Sequence, residues 1–131
     1  MEAKVLGLMR RGAITCTQET SIQEVAQIMV VNSIRYCVVV DEKHEVKGII
    51  SNRSILKAMG SNLEQTRAKD VLLPYTITIT PGTLLMEAAD LMARKRIEHI
   101  IVVSDRPGSK AIMGLLFAED VITRMAGNDG V

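Results

Sequence analysis

The chain repeats itself, and this repeat limits its possible folds more than any other feature. At an offset of 63 residues, which pairs Ile14 with Ile77, ten of the 27 positions from 14 to 40 are identical in the second copy. From Gly48 onwards the offset is 66, so that Gly48 pairs with Gly114. The three additional residues fall in the polar turn 105–110, where an insertion costs little. A repeat at a fixed spacing indicates the tandem duplication of one structural unit.

Each copy predicts the same order of elements. A short apolar strand precedes an amphipathic helix, two strands around a polar turn follow, and a second helix ends the copy. Ser21 and Glu24 have the spacing of a capping box, and Thr83 is the candidate N-cap in the second copy. The order is therefore β-α-β-β-α, twice. The predicted strands are 14–17, 36–40, 46–50, 77–80, 100–103 and 111–116, and the predicted final helices are 52–59 and 118–125.

The same pattern sets the domain organisation. The first repeat is predicted at 4–60, a polar linker at 61–66, the second repeat at 67–126 and a tail at 127–131, with Pro74 and Tyr75 leading into the second repeat. A copy of about 60 residues cannot easily bury its own apolar face. We therefore predict an α+β (α/β-type) fold in which the two repeats pack sheet to sheet about a pseudo-twofold axis and form equivalent clefts where they meet.

Composition argues against several classes of function. Sixteen basic and fifteen acidic side chains give a net charge of +1, whereas a general nucleic-acid binder needs a clearer basic excess. Two cysteines and two histidines offer almost nothing to a zinc site, and no apolar run is long enough to span a membrane. We expect a cytoplasmic protein in which Cys16 and Cys37 are small buried residues, with a disulfide as the less favoured alternative.

The end of each copy carries residues that permit comparison with a known family. The first copy has Ile34–Asp41 followed by Gly48-Ile49-Ile50-Ser51-Asn52-Arg53-Ser54, and the second has Ile97–Val103 followed by Gly114-Leu115-Leu116-Phe117-Ala118-Glu119-Asp120. Over residues 4–125 this pattern resembles a pair of cystathionine β-synthase (CBS) domains, or Bateman module, here expected to stand alone. The resemblance implies a regulatory module that binds AMP, ADP, ATP or a related adenosyl ligand between the repeats, forms a homodimer and regulates a target protein.

The resemblance also implies a composite cleft A. In the family signature Gly-h-h-Thr/Ser-x-x-Asp, where h is apolar, the aspartate binds the ribose hydroxyls, and Asp120 matches it. Arg35 matches a phosphate-facing basic residue, whose planar fork suits phosphate oxygens. Phe117 departs from the Thr/Ser position and removes one hydroxyl. The residues expected to line cleft A are Ile14, Thr15, Ile34, Arg35, Tyr36, Phe117 and Asp120.

Cleft B is the corresponding site with the roles of the repeats exchanged. Ser51 keeps the hydroxyl of the signature, but Ser54 replaces the aspartate, and Glu98 would repel a phosphate. We therefore expect cleft A to bind the nucleotide, with AMP favoured, and cleft B to be weak or empty, with a neutral ligand as the open alternative. No cofactor or metal is expected. The residues expected to line cleft B are Ile77, Thr78, Ile97, Glu98, His99, Ser51 and Ser54.

Other interpretations of these residues remain open. Asp120 suits the first turn of any helix because of the helix dipole, and His99 suits a packing role. Arg10 and Arg11 either reach a polyphosphate tail or lie on the surface. The loss of one aspartate and one hydroxyl agrees with an assembly module that needs no ligand. An enzyme is disfavoured, because the sequence has no Gly-x-Ser-x-Gly elbow, P-loop, Gly-x-Gly-x-x-Gly or metal cluster.

Overall fold

Each copy of the sequence repeat folds into the predicted β-α-β-β-α arrangement. The computed structural model describes residues 2–73 and 77–127, so that Pro74, Tyr75 and the tail residues 128–131 lie outside the described residues. In chain order the elements are β1 (Arg10–Arg11), β2 (Thr15–Thr17), α1 (Ile22–Asn32), β3 (Tyr36–Val40), β4 (Val46–Ser51), α2 (Asn52–Lys57), α3 (Ala68–Val71), β5 (Thr78–Ile79), α4 (Leu85–Lys95), β6 (His99–Val103), β7 (Ile112–Phe117) and α5 (Ala118–Met125). The predicted mixed α/β fold is confirmed.

The strands form two sheets with the same internal pairing. In the first sheet β2 runs parallel to β3, and β3 is antiparallel to β4. The second sheet repeats this pattern with β5, β6 and β7, and it adds β1 antiparallel to β7. Both hairpins have a register irregularity at the same place, between Val39 and Val40 and between Val102 and Val103. The duplication therefore extends to the details of the backbone.

The structure divides into two compact units, each with its own hydrophobic core. Among the described residues, the first unit comprises 14–73, and the second comprises 2–13 together with 77–127. Each core lies between a sheet and the first helix of a repeat, which buries one face at helical spacing. The first core contains Cys16, Ile22, Val25, Met29, Cys37, Val39, Ile50, Ala58 and Ala68. The second contains Val5, Met9, Leu85, Ala88, Met92, Ile100, Val102, Leu116 and Val121.

The helix starts test the predicted N-caps. Ser21 is the N-cap of α1, and its Oγ accepts a hydrogen bond from the backbone N–H of Glu24 at 3.2 Å. The prediction of Thr83 as the second N-cap is wrong, because α4 has Leu84 as its N-cap and no side-chain cap. The repeat offset of 63 pairs Ser21 with Leu84. The second helix therefore begins at the position that the repeat dictates, although the capping side chain is lost there.

The segment in front of each repeat packs onto the other repeat. We call residues 3–11 the first leader and residues 66–73 the second leader. In the first leader the N–H of Val5 donates to the carbonyl of Thr83 at 2.9 Å, and in the second the N–H of Ala68 donates to that of Thr20 at 2.8 Å. Val5 and Ala68 are fully buried in the cores that they join. The compact units are therefore offset along the chain from the sequence repeats predicted at 4–60 and 67–126, because each unit includes the leader of the other repeat.

The two glycines of the repeated signature make room for these leaders. A Cβ atom at Gly114 would overlap the backbone carbonyl oxygen of Arg10, and a Cβ at Gly48 would lie 2.6 Å from the carbonyl oxygen of Leu73. The first leader forms β1 at this point, and the second forms a single antiparallel bridge between Leu73 and Ile49. Glycine is required at both positions because only hydrogen leaves space for the passing backbone.

Candidate functional site

Asp120 lies in the first turn of α5, immediately after strand β7. Phe117 ends the strand and is the N-cap of the helix, and the N–H of Ala118 donates to the carbonyl of Glu98 on the neighbouring chain segment at 2.8 Å. This bond fixes the junction of strand and helix. A quarter of the Asp120 side chain is exposed (25%), and the helix dipole stabilises its negative charge. The structure therefore presents a carboxylate at a defined, solvent-accessible position.

The guanidinium of Arg10 binds this carboxylate through both of its oxygens. Nε of Arg10 donates to Oδ2 of Asp120 at 2.8 Å, and Nη2 donates to Oδ1 at 3.0 Å. This bidentate geometry is the strongest that arginine makes with a carboxylate. Nη2 also donates to Oε1 of Glu119 at 3.1 Å, so that a second carboxylate contacts the guanidinium. The hydrogen bonding that Arg10 donates to Asp120 is the main cause that raises the pKa of Arg10 above its ordinary value.

Phe117 forms the floor under Arg10. The Cζ atom of the guanidinium lies 4.3 Å from the centre of the Phe117 ring, within the range of a cation–π contact. Arg10 lies on the surface, which is one of the two alternatives predicted for it, and it pairs there with a residue 110 positions away. The sequence offers no local signal for this pairing, because it depends on the docking of the first leader beside β7.

Five predicted residues of cleft A lie in the first unit, around the start of β3. Ile14 precedes β2, and its carbonyl accepts a hydrogen bond from the N–H of Val38 in β3 at 3.4 Å. The carbonyl of Arg35 accepts from the N–H of Asn52 at 2.9 Å, which holds the exposed Arg35 beside the start of α2. The structure therefore brings one group of predicted residues to one end of the first sheet. These residues are Ile14, Thr15, Ile34, Arg35 and Tyr36.

Two of these five residues also serve the fold. Ile34 is partly buried and packs against the first core. Tyr36 pairs with Ser51 across β3 and β4, which places a residue predicted for cleft A beside one predicted for cleft B. The first unit thus carries part of each predicted cleft on the same strand ends.

The serines predicted for cleft B are bonded to each other. Ser51 is the N-cap of α2, and its Oγ accepts a hydrogen bond from the N–H of Ser54 at 3.4 Å. The two hydroxyl oxygens are 3.3 Å apart, and Ser54 is buried. The position that corresponds to the carboxylate of Asp120 is therefore occupied by a small hydroxyl within a local hydrogen-bonding pair.

The remaining residues of cleft B lie in the second unit. His99 pairs with Phe117 across β6 and β7, so it lies beside the residue whose ring is under Arg10. Burial lowers the pKa of His99 from its ordinary value of 6.5, and the charge of Glu98 opposes this shift. Ile97 packs against the second core. Thr78 lies in β5 and Ile77 directly precedes that strand.

Thr78 also lines a surface groove between β5 and α4. The groove has a volume of about 560 Å³ and carries both hydroxyl and charged groups. Its charged residues include Asp90 and Arg94, which form an exposed ion pair at 2.8 Å along α4. Exposed pairs of this kind contribute little to stability, and the groove adds no further residue predicted for either cleft.

The two units thus differ at equivalent positions in the groups that they offer to a ligand. The second unit offers a guanidinium that is hydrogen-bonded to a carboxylate and lies over an aromatic ring. The first unit offers an exposed arginine and a pair of serines. A carboxylate accepts hydrogen bonds from two adjacent hydroxyls, and a guanidinium binds phosphate oxygens. No group of three or more histidine, cysteine, aspartate or glutamate residues in the described ranges could hold a metal ion.

Comparison with known proteins identifies this arrangement. The family model of the CBS domain matches residues 5–61 and 68–127. Among curated proteins, the mitochondrial CBS domain-containing protein CBSX3 of Arabidopsis thaliana is 29% identical over 114 residues, which cover 82% of this chain and 53% of that protein. The chain therefore spans about half of the length of this relative.

Solved structures show the same fold. The CBS domain pair of protein MJ0100, in complex with 5′-methylthioadenosine and S-adenosyl-L-methionine, superposes with a TM-score of 0.83 at 24% identity, covering 98% of this chain and 100% of that one. CBSX2 in complex with AMP superposes with a TM-score of 0.81 at 17% identity, covering 95% and 97%. Within the described residues, no helix has the length and hydropathy needed to cross a membrane.

Proposed function

Because this chain belongs to the CBS domain family, we propose that it is a non-catalytic regulatory module that binds an adenine nucleotide, with AMP favoured, and acts on a target protein. The observation that carries this proposal is the difference between Asp120 and Ser54. Asp120 presents a carboxylate that suits the two hydroxyls of a ribose. Ser54 is buried and bonded to Ser51, so it offers no comparable group.

The nucleotide site is cleft A, in which Asp120 binds the ribose and Arg35 binds phosphate. Arg35 is exposed and its backbone is fixed by the hydrogen bond to Asn52, so its side chain is free to meet a charged ligand. Cleft B is weak or empty, since Glu98 stands at the position that corresponds to Arg35. The bound ligands of the MJ0100 and CBSX2 structures, all adenosyl compounds, support this ligand class.

Calorimetric titration of AMP, ADP, ATP and S-adenosylmethionine tests the proposal directly. We expect about one site per chain for AMP and a loss of affinity of about tenfold or more in Asp120→Ala, since a charge-assisted pair of hydrogen bonds is removed. Glu119→Ala is the matched control, because Glu119 is the adjacent acidic residue and also contacts Arg10. Unchanged AMP affinity in Asp120→Ala would contradict a ribose contact at this residue.

A second function, assembly without a ligand, is favoured by the apolar residues exposed on the last helix of each repeat or directly after it. Ile122 and Met125 on α5 are 63% and 78% exposed, and Leu56 and Met59 at the equivalent positions of the first repeat are 72% and 76% exposed. Exposed apolar side chains at equivalent positions suit a symmetric interface. We propose that these helices form a homodimer.

Light scattering coupled to size exclusion measures this assembly. Ile122→Glu combined with Met125→Glu should convert a dimer into a monomer, whereas Met86→Glu, at a residue 73% exposed on α4, should leave the mass unchanged. If the unliganded chain dimerises and binds none of the four nucleotides, the assembly function replaces the sensor function. A monomeric wild-type chain would contradict the dimer.

A further inference from the structure

We propose that Arg10 determines the ligand selectivity of cleft A by occupying Asp120 until a ligand that carries an anionic group displaces it. This role of Arg10 rests on the proposed ribose contact of Asp120. It adds a residue outside the repeated signature, contributed by the first leader, and it assigns the site a preference for phosphorylated over uncharged adenosyl ligands.

Arg10 and the ribose of a ligand compete for the carboxylate of Asp120. Arg10 donates one hydrogen bond to each oxygen of the Asp120 carboxylate, at 2.8 and 3.0 Å. A pair of adjacent ribose hydroxyls that bridges both oxygens approaches the carboxylate from the same end as the guanidinium fork, and it uses the same lone pairs that point between the two oxygens. The ring of Phe117 holds the guanidinium in this position from one face. A ribose therefore binds Asp120 in this manner only when the guanidinium moves away.

The backbone of Arg10 keeps the displaced side chain close to the site. Arg10 pairs with Leu115 in the β1–β7 ladder, and the N–H of Gly12 donates to the carbonyl of Met113 at 3.0 Å. Displacement is therefore a rotation of the side chain about a fixed backbone. The guanidinium remains within the reach of one arginine side chain from Asp120.

The charges around Arg10 determine which ligands can displace it from Asp120 at a low cost in free energy. Once Asp120 binds ribose, Arg10 still contacts the carboxylate of Glu119, but the side chain of Glu119 is 73% exposed, where an ion pair is weak. A ligand phosphate supplies a new partner with a geometry that the guanidinium fork matches. An uncharged ligand such as adenosine breaks the same ion pair and supplies no replacement.

Calorimetry with AMP and adenosine on the wild-type chain, Arg10→Ala and Arg11→Ala tests this role. We expect Arg10→Ala to tighten adenosine binding and to weaken AMP binding, so that the preference for AMP over adenosine falls about tenfold. Arg11 is the matched control, because successive side chains of a strand point to opposite faces, and its substitution should leave the preference within about twofold. The ratio of two affinities measured on one variant is independent of its folded fraction.

The outcomes separate this role from the proposed function. If both ligands bind and Arg10→Ala keeps the wild-type preference, the selectivity role is overturned and the nucleotide module stands. If Arg10→Ala binds adenosine while the wild-type chain binds neither ligand, Arg10 blocks the site, and the wild-type chain is not a sensor of these ligands. If no variant binds either ligand, both proposals are overturned.

Discussion

Replacement of Gly114 by alanine should detach the first leader from the second unit. The added Cβ would overlap the carbonyl oxygen of Arg10, and it would lie 3.1 Å from the carbonyl carbon of the same residue. These are backbone atoms held in the β1–β7 ladder, so no rotation of a flexible side chain relieves the overlap. The leader must therefore move away from β7.

The size of the effect follows from what the leader buries. Val5 is fully buried and Met9 is 8% exposed, both in the second core. Burial of one such side chain contributes about 1.5–3 kcal/mol, so complete detachment costs about 3–6 kcal/mol. The freed segment regains conformational entropy and part of the core closes again. We therefore expect the free energy of unfolding to fall by about 2–4 kcal/mol. For a chain of this length the melting temperature should fall by roughly 6–12 °C.

Urea denaturation and thermal melting, followed by circular dichroism, measure this loss. Gly82→Ala is the matched control, because no heavy atom lies within 4 Å of a Cβ placed there. It should change the free energy of unfolding by less than about 1 kcal/mol, with a gain from the lower entropy of the unfolded chain. Gly48→Ala should resemble Gly114→Ala, since its Cβ would lie 2.6 Å from the carbonyl oxygen of Leu73. Gly114→Ala that melts within about 2 °C of Gly82→Ala would refute the docking argument.

Three further predictions concern the titratable residues and a helix cap. Because burial lowers the pKa of His99 from 6.5, the folded state binds fewer protons than the unfolded state below that pH. The free energy of unfolding should therefore fall as the pH falls through 6.5, and it should fall less steeply in His99→Gln. Urea denaturation at several pH values measures this, and an equal dependence of the free energy on pH in the wild-type chain and in His99→Gln would contradict it. Cys16 and Cys37 are free and buried, so iodoacetamide should alkylate them slowly until denaturant is added, whereas rapid labelling of the native chain would show that they are accessible. Ser21→Ala should lower the free energy of unfolding by about 1 kcal/mol, because the helix loses its cap. Leu84→Ala is the control at the equivalent position, since it removes no cap. An unfolding curve of Ser21→Ala that coincides with the wild-type curve would exclude a stabilising cap.

The order of elements was predictable because it is encoded locally and stated twice. The helical spacing of Ile22, Val25 and Met29 predicts the buried face of α1, and the offset of 63 residues transfers the same prediction to α4. The free, buried state of Cys16 and Cys37 also followed from their apolar neighbours. The helix start at Thr83 was predicted wrongly because threonine is a preferred capping residue. The repeat offset instead pairs the cap Ser21 with Leu84, where the helix does begin.

The boundaries of the compact units were not predictable from the same patterns. Val5 and Ala68 occupy short segments with little helical or strand periodicity, and nothing in their local sequence states which repeat they join. Their burial is decided by the space above Gly114 and Gly48, which exists only once β7 and β4 are folded. The repeated glycines were visible in the sequence, whereas the backbone that passes over them was not.

The sequence by itself determined the duplication, the β-α-β-β-α order and the presence of an aspartate in one signature and a serine in the other. Tertiary structure decided the partner of that aspartate. Arg10 and Asp120 are 110 positions apart, and an ion pair between exposed groups leaves no periodic pattern along a chain. It forms because the first leader docks beside β7, where hydrogen bonds between strands bring a distant guanidinium over Phe117. Such a contact depends on distance in space, which only the folded chain defines.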